Sequence, residues 1–371
     1  MTTTSPVLQP ESGTVTSPAG ARAGYLPAMP RTVLWGRLPC ATDQPAVTID
    51  PGTSLVIDTV SHEGILEDQG RDPYAFFTHR GIPASQILRD AATVAAEVDH
   101  DPSADGPHVV TGPIEVRGAR PGDILSMTVE DLQLRCRYGV VSNRHGRGAL
   151  PDEFPLGGSA ETVSILCRVE HDHRAGLHGS MPVAPGSARN VRFPLAPFLG
   201  TMGVAVAQRH RPNSVPPGAH GGNIDVALLT RGATLHVPVQ VPGALAYVGD
   251  PHFAQGDGEV ALTAFEAPLR ARIRFDVVPA EEFPARPLWA ETADLLVPIG
   301  LHHDLADAMR QCVRAAVQML VDRGMHPAHA YAYLSAAGDF AISQVVDQVT
   351  GVHGKIRKSD LAELLLPTSG L

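Results

Sequence analysis

Residues 220–266 read HGGNIDVALLTRGATLHVPVQVPGALAYVGDPHFAQGDGEVALTAFE. The middle of this stretch, Leu235 to Val248, is rich in Val and Leu and is broken by Pro238, Pro242 and Gly243. Such a run predicts buried or edge strands separated by bends, because branched side chains pack on a pleated surface while proline removes a ladder donor. No Lys occurs in it, and its polar groups fall on either side of the apolar run. His220, Asn223 and Asp225 come before; Asp250, His252, Gln255, Asp257, Glu259 and Glu266 come after. The two clusters are therefore expected at strand ends, on loops that a rigid sheet aims at one point.

From His252 to Glu259 the polar side chains alternate with glycines, which let the backbone bend sharply and approach a ligand. Asp257 and Glu259 share one side of an extended segment, as do Asp250 and His252, because side chains alternate along a strand. Converging carboxylates and an imidazole suit a divalent cation such as zinc, and a spare carboxylate beside it suits general-base work. The same Asx and Gly residues also serve ordinary tight turns, and no HExxH or CxxC pattern is present. Glu266 falls on the face opposite Glu259 unless a bulge intervenes. His236, inside the apolar run, reads as an ordinary strand histidine.

Outward from this stretch, residues 32–58 alternate apolar and polar residues around Asp-Pro-Gly, as two strands of a hairpin would. Related phrases stand at 113–132 and 228–241, which predicts repeated hairpins. In the insert at 62–106, Ser85 to Val98 has short-helix spacing with Ser85 as cap, and His62 and Glu63 read as surface or capping residues at a strand end. His171, Asp172, His173 and His178 read as a solvated hairpin tip rather than a metal site. Leu269 to Val278 alternates as a strand. Leu305, Met309, Cys312, Val313, Ala316, Val317 and Leu320 recur at helical spacing between Asp304 and Gly324; Pro327 opens a second helix, and Phe340 to Val349 is expected as a third. The sum is a mainly β, sandwich-like fold of antiparallel or mixed sheets with a C-terminal α-helical element: β-rich over 29–280, helical over 300–350, one domain from 29 to 371.

The charge of −10 and a pI near 5.9, with no basic run, exclude a nucleic-acid or anionic-membrane partner. No apolar run reaches the roughly 18 residues of a membrane span. Cys40, Cys136, Cys167 and Cys312 are scattered and read as reduced structural thiols in a cytoplasmic protein. Residues 1–28, rich in Thr, Ser, Pro and Gly, lack the pattern of a secretory signal and are expected to be disordered.

HGGNID, TRGATLHVPVQVPGALAYVGDPHFAQGDGEV and TAFE resemble the signature of the acetamidase/formamidase family. The resemblance extends to HVVTGPIEVRGARPGD at 108–123, FPLAPFLGTMGVA at 193–205 and AYLSAAGDFAISQVVD at 332–347. It implies a β-sandwich with appended helices and hydrolysis of a small linear amide, such as formamide or acetamide, to carboxylate and ammonia. It also adds His108 as a candidate ligand and implies that the region 133–190 covers the site. On this reading a divalent metal, zinc foremost, is held by some of His108, Asp225, Asp250 and His252 and activates a water. Glu259 or Asp257 moves the proton, and Asn223 and Gln255 orient the amide. A structural calcium and a homo-oligomer are further expectations. The rival is a non-catalytic β-sandwich protein that binds a metal or small ligand through the same acidic loops.

Overall fold

The computed structural model describes residues 7–11, 24–155, 162–172, 176–281 and 287–365. Among these the chain is mainly β. A nine-stranded sheet runs in the order Tyr25–Leu26, Thr53–Asp58, Leu269–Val278, Ile124–Leu134, Thr234–Pro238, Trp289–Glu291, Leu295–His302, Thr350–Arg357 and Asp339–Gln344. An eleven-stranded sheet has Ala246–Ala254 near its middle, paired with Phe198–Gly203, Phe265–Glu266 and Val109–Val116. One apolar core draws on both sheets, with Leu55, Ile57, Met127, Ile273 and Phe275 from the first and Ile114, Val140, Phe198, Val248 and Phe253 from the second. Among the described residues no helix is long and apolar enough to cross a membrane.

The repeated phrases are not hairpins. Across Asp-Pro-Gly the chain leaves Val47–Ile49, which pairs with Val109–Val116, and enters Thr53–Asp58, which pairs with Leu269–Val278 in the other sheet. Residues 113–132 do the same, from Val109–Val116 into Ile124–Leu134. A strand with one face in the core gains more by crossing to a new partner than by folding back on a short neighbour.

Helix Leu305–Val321 begins as expected, with the Asp304 carboxylate accepting from the Asp307 amide at 3.0 Å, and Pro327 opens helix Pro327–Ala337. The third helix is absent: Asp339–Gln344 is a strand paired with Thr350–Arg357. Its alternate side chains are needed across a strand ladder, and this tertiary pairing overrides the local pattern. In the insert the helix is Arg89–Glu97, and Ser85 lies in a preceding 3-10 turn rather than at the cap. The Arg89 amide instead donates to Gln9 Oε1 at 3.0 Å.

Within 1–28, expected to be disordered, the two described segments are held against the rest of the chain. Val7–Glu11 lies against the domain, with the Leu8 amide on the Arg135 carbonyl at 2.9 Å and Gln9 Nε2 on the Ile87 carbonyl at 2.8 Å. Tyr25–Leu26 pairs in parallel with Thr53–Asp58. Residues 1–6 and 12–23 lie outside the described residues.

Candidate active site

Strand Ala246–Ala254 is buried along all but its last residue and carries Asp250 and His252. Asp250 sits at a φ of 50°, a left-handed conformation that costs a non-glycine residue on the order of 1 kcal/mol and re-aims its side chain. Asp225 (φ 46°) and Glu259 (φ 47°) share that conformation. Arg71, Ala244, Leu245, Leu262 and Gln348 also have positive φ, and Asp225, Asp250 and Glu259 are the ones that carry carboxyls into the cluster.

His108 enters directly before Val109–Val116, and its Nδ1 lies 3.0 Å from Ser214 Oγ. Asp225 follows strand Gly221–Asn223, whose continuation folds over Gly200: the Ile224 and Asp225 amides both donate to the Gly200 carbonyl. A Cβ at Gly200 would overlap the Asp225 and Asp250 carboxylates and crowd the His252 ring, so this position needs glycine for its close approach.

Three overlapping groups result, each with ligand atoms within 4.8 Å of one another: His62, His108 and Asp250; Asp225, His252 and Glu259; Asp250, His252 and Glu266. Every member is buried. His252 Nε2 stands 3.0 Å from Glu266 Oε1 and 3.1 Å from Asp250 Oδ2, and His62 Nδ1 stands 3.3 Å from Asp250 Oδ1. These approaches have the lengths of hydrogen bonds but not their angles. His252 Nε2, His62 Nδ1, Asp250 Oδ1, Glu266 Oε2, Asp347 Oδ2 and both Asp225 oxygens are all buried without a hydrogen-bond partner. Angles decide here: unpartnered lone pairs crowded together are what a cation's ligands look like, and buried charges otherwise cost several kcal/mol each.

The titration behaviour follows from the same crowding. Burial, then the neighbouring Glu259 and Asp347 carboxylates, push Asp225 well above the usual range. Burial and Asp347 do the same to Glu259, and burial pushes Asp347 up to about 8. Burial pulls His108 down to about 4, leaving a neutral imidazole. For His252 burial is outweighed by Glu266 and Asp250, which hold it well above its usual value. Protons thus gather where positive charge is wanted. The residues fit a divalent cation: nitrogen and oxygen donors, no thiolate, and more carboxylates than ligation alone consumes.

Of the residues singled out in the sequence, His108, Asp225, Asp250, His252 and Glu259 come together, and Asn223 lines the cavity above them with its Oδ1 accepting from Thr201 Oγ at 2.8 Å. Two do not. Asp257 is exposed and pairs with Lys355 Nζ at 3.1 Å, because the tight turn from Gly256 to Glu259 directs it outward. Gln255 is engaged within the protein: its Oε1 meets His252 Nδ1 at 3.1 Å and its Nε2 donates to the Asp225 and Ser343 carbonyls.

Three residues join that the pattern did not assign. His62 turns inward from the end of Thr53–Asp58, where nothing in its local spacing separates a ligand from a cap. Glu266 reaches the cluster through a register shift between His252 and Ala254 that sets it opposite His252, the bulge its spacing required. Asp347 arrives from the turn after Asp339–Gln344. The His171 region is a hairpin in which His178 Nε2 approaches Glu170 at 3.4 Å; none of the three metal groups found among the described residues includes it, and His173 lies outside them. The four cysteines are free and buried, burial pushes Cys136, Cys167 and Cys312 up to about 12, and none of the four belongs to the three metal groups found among the described residues.

A model of the acetamidase/formamidase family matches residues 92–211 and 206–284, together more than half of the chain. The chain belongs to the acetamidase/formamidase family. His108, Asn223, Asp225, Asp250, His252, Glu259 and Glu266 lie inside the family match; His62 and Asp347 lie outside it. The chain is 29% identical over 270 residues to the acetamidase of Mycolicibacterium smegmatis, covering 55% of this chain and 65% of that one. It is 29% identical over 194 residues to the formamidase of Methylophilus methylotrophus, covering 42% and 47%. The chain thus spans about half to two thirds of the length of the curated relatives it matches. In fold it is similar to an acetamidase of Bacillus halodurans, with a TM-score of 0.70 at 22% identity over 92% of this chain and 100% of that one.

Proposed function

We propose that this family member hydrolyses the C–N bond of a small linear amide to carboxylate and ammonia, at the cluster beneath the cavity. The observation that carries the reading is the set of buried, unpartnered nitrogen and oxygen atoms on His62, Asp250 and Glu266, which line that cavity, and on Asp225 and His252 packed beside them. A divalent cation would draw its ligands from among His62, His108, Asp225, Asp250, His252 and Glu266, with zinc the best match to the donor set. When bound, such a cation supplies Lewis acidity toward a carbonyl oxygen and toward water.

The chain's own groups divide the remaining work. Glu259 is buried in the cluster, its carboxyl pushed well above its usual value by burial and by Asp347, and in its ionised form would take a proton from the attacking water and return it to the leaving nitrogen. Asn223, its Oδ1 already held by Thr201, is left with its NH2 group to offer as a donor. Neutral His108 is ready to serve as a ligand without first losing a proton.

The test measures metal content and ammonia release together on the purified chain, before and after chelation. Ammonia that disappears on chelation and returns with added zinc is expected. Metal-free protein with full turnover would remove the cation from the reaction. Bound metal with no ammonia from any amide would favour a binding protein.

A further inference from the structure

The cavity above the cluster is larger than the smallest amides need. Its volume is about 410 Å³. Acetamide displaces roughly the space of two to three waters at ~30 Å³ each, a small part of that volume. The cavity has a direction: His62, His108, Asp250 and Glu266 line a buried floor, while Pro102, Ser103 and Ala104 stand exposed at its mouth.

The wall from Leu66 to Pro107 belongs to the insert, and it is braced rather than poised to collapse onto a small substrate. The His100 ring bridges Glu67 Oε1 and the Gly106 carbonyl, both at 2.9 Å, and stacks on Trp35 at 4.4 Å. Arg37 Nη2 and Asn213 Nδ2 each donate to the Ala104 carbonyl at 3.0 Å. The acidic groups on this wall are already paired: Glu67 with Arg71, Asp68 with Arg144, and Asp105 with Arg37. What the cavity leaves for a ligand is mixed, with Pro102, Ala104, Pro107 and Val215 on one side and Asn213, Gln348 and the exposed Arg147 among the rest of its lining.

We propose that the preferred substrates are primary amides with an acyl group of roughly six to ten non-hydrogen atoms, which the cavity admits by its size and which runs along the Pro102, Ala104 and Pro107 side of this wall. The inference rests on the amidase reading and names its substrate class. The reacting carbonyl sits at the floor and the acyl chain runs toward Ala104; each buried methylene adds up to roughly fourfold in kcat/KM.

The experiment compares kcat/KM for ammonia release from formamide, acetamide, butanamide, hexanamide and phenylacetamide with the metal-loaded full chain. Hexanamide or phenylacetamide is expected to exceed acetamide at least tenfold, and hexanoate to inhibit competitively at lower concentration than acetate. Acetamide or formamide turned over as well as the longer amides overturns the substrate class and leaves the amidase reading standing; no ammonia from any of them overturns both. Ala104→Trp, which fills the outer cavity, is expected to lower the hexanamide-to-acetamide ratio at least tenfold. An unchanged ratio in a folded variant removes the wall as the selector, and the hexanoate-to-acetate comparison on the unmodified chain decides the class should the variant not fold.

Discussion

Gly200 shows how a residue without a side chain shapes a site: its missing Cβ is the space into which the Asp225 and Asp250 carboxylates and the His252 ring converge. Gly200→Ala is expected to lower metal affinity at least tenfold, read by competition with a chromophoric chelator, while the far-ultraviolet circular dichroism stays that of the parent. Glu259 tests the chemistry rather than the architecture. Glu259→Gln keeps the shape and removes the base, so kcat should fall by about 10² to 10⁴ with Tm unchanged or raised, since one buried carboxyl fewer needs to be tolerated. Asp257→Asn, on the exposed side of the same turn, should leave kcat within about twofold. Equal losses in the two variants would return Asp257 to the mechanism.

At the scale of elements, the cluster depends on a strand that no local signal marks. Asp339–Gln344 pairs with Thr350–Arg357 at the far edge of one sheet, yet the Ser343 carbonyl accepts from Gln255 Nε2, and Gln255 Oε1 meets His252. The side chain of Gln255 thus ties the orientation of His252 to the C-terminal hairpin. Outer partners of this kind set ring tautomer and position, and their loss costs 10- to 100-fold in metal affinity. Gln255→Ala is expected to fall in that range, with KM for amide little changed once metal is saturating. A raised KM with unaltered metal affinity would restore Gln255 to substrate contact.

At the scale of the molecule, Arg135 joins pieces far apart in sequence. It is fully buried, 2.7 Å from Asp90 Oδ2 and 3.3 Å from Asp58 Oδ2, and it donates to the Thr59 and Leu8 carbonyls. Removing it leaves the buried Asp90 carboxylate without a charged partner, while Asp58 keeps Arg270 and the Tyr25 hydroxyl. Arg135→Met should therefore lose about 3–5 kcal/mol at pH 8 by denaturant titration. Burial raises the Asp90 carboxyl. A carboxyl whose folded pKa is raised gives stability that is present below its unfolded pKa and lost as pH rises through the folded one, so the deficit should shrink as pH falls toward about 4. A deficit independent of pH would point to lost packing instead.

How much of this was legible in the sequence depends on the range of the interactions. Leu235 to Val248 and Leu269 to Val278 betray strands because alternation and branching are properties of the local chain, and Asp304 and Pro327 mark helix starts because caps act within one turn. Asp250, His252 and Glu259 could be proposed together because one strand and one turn carry them. His62 and Asp347 could not, since their membership exists only where Thr53–Asp58 and the C-terminal hairpin are brought against Ala246–Ala254. The sequence by itself determined a β-rich chain with a helical end and a glycine-rich acidic turn following a buried strand. Only the tertiary structure decided that Asp-Pro-Gly turns pass between sheets, that Phe340 lies in a strand, and which lone pairs are left facing one another. Those outcomes are settled by burial and by backbone pairing between segments distant in sequence, which local spacing does not encode.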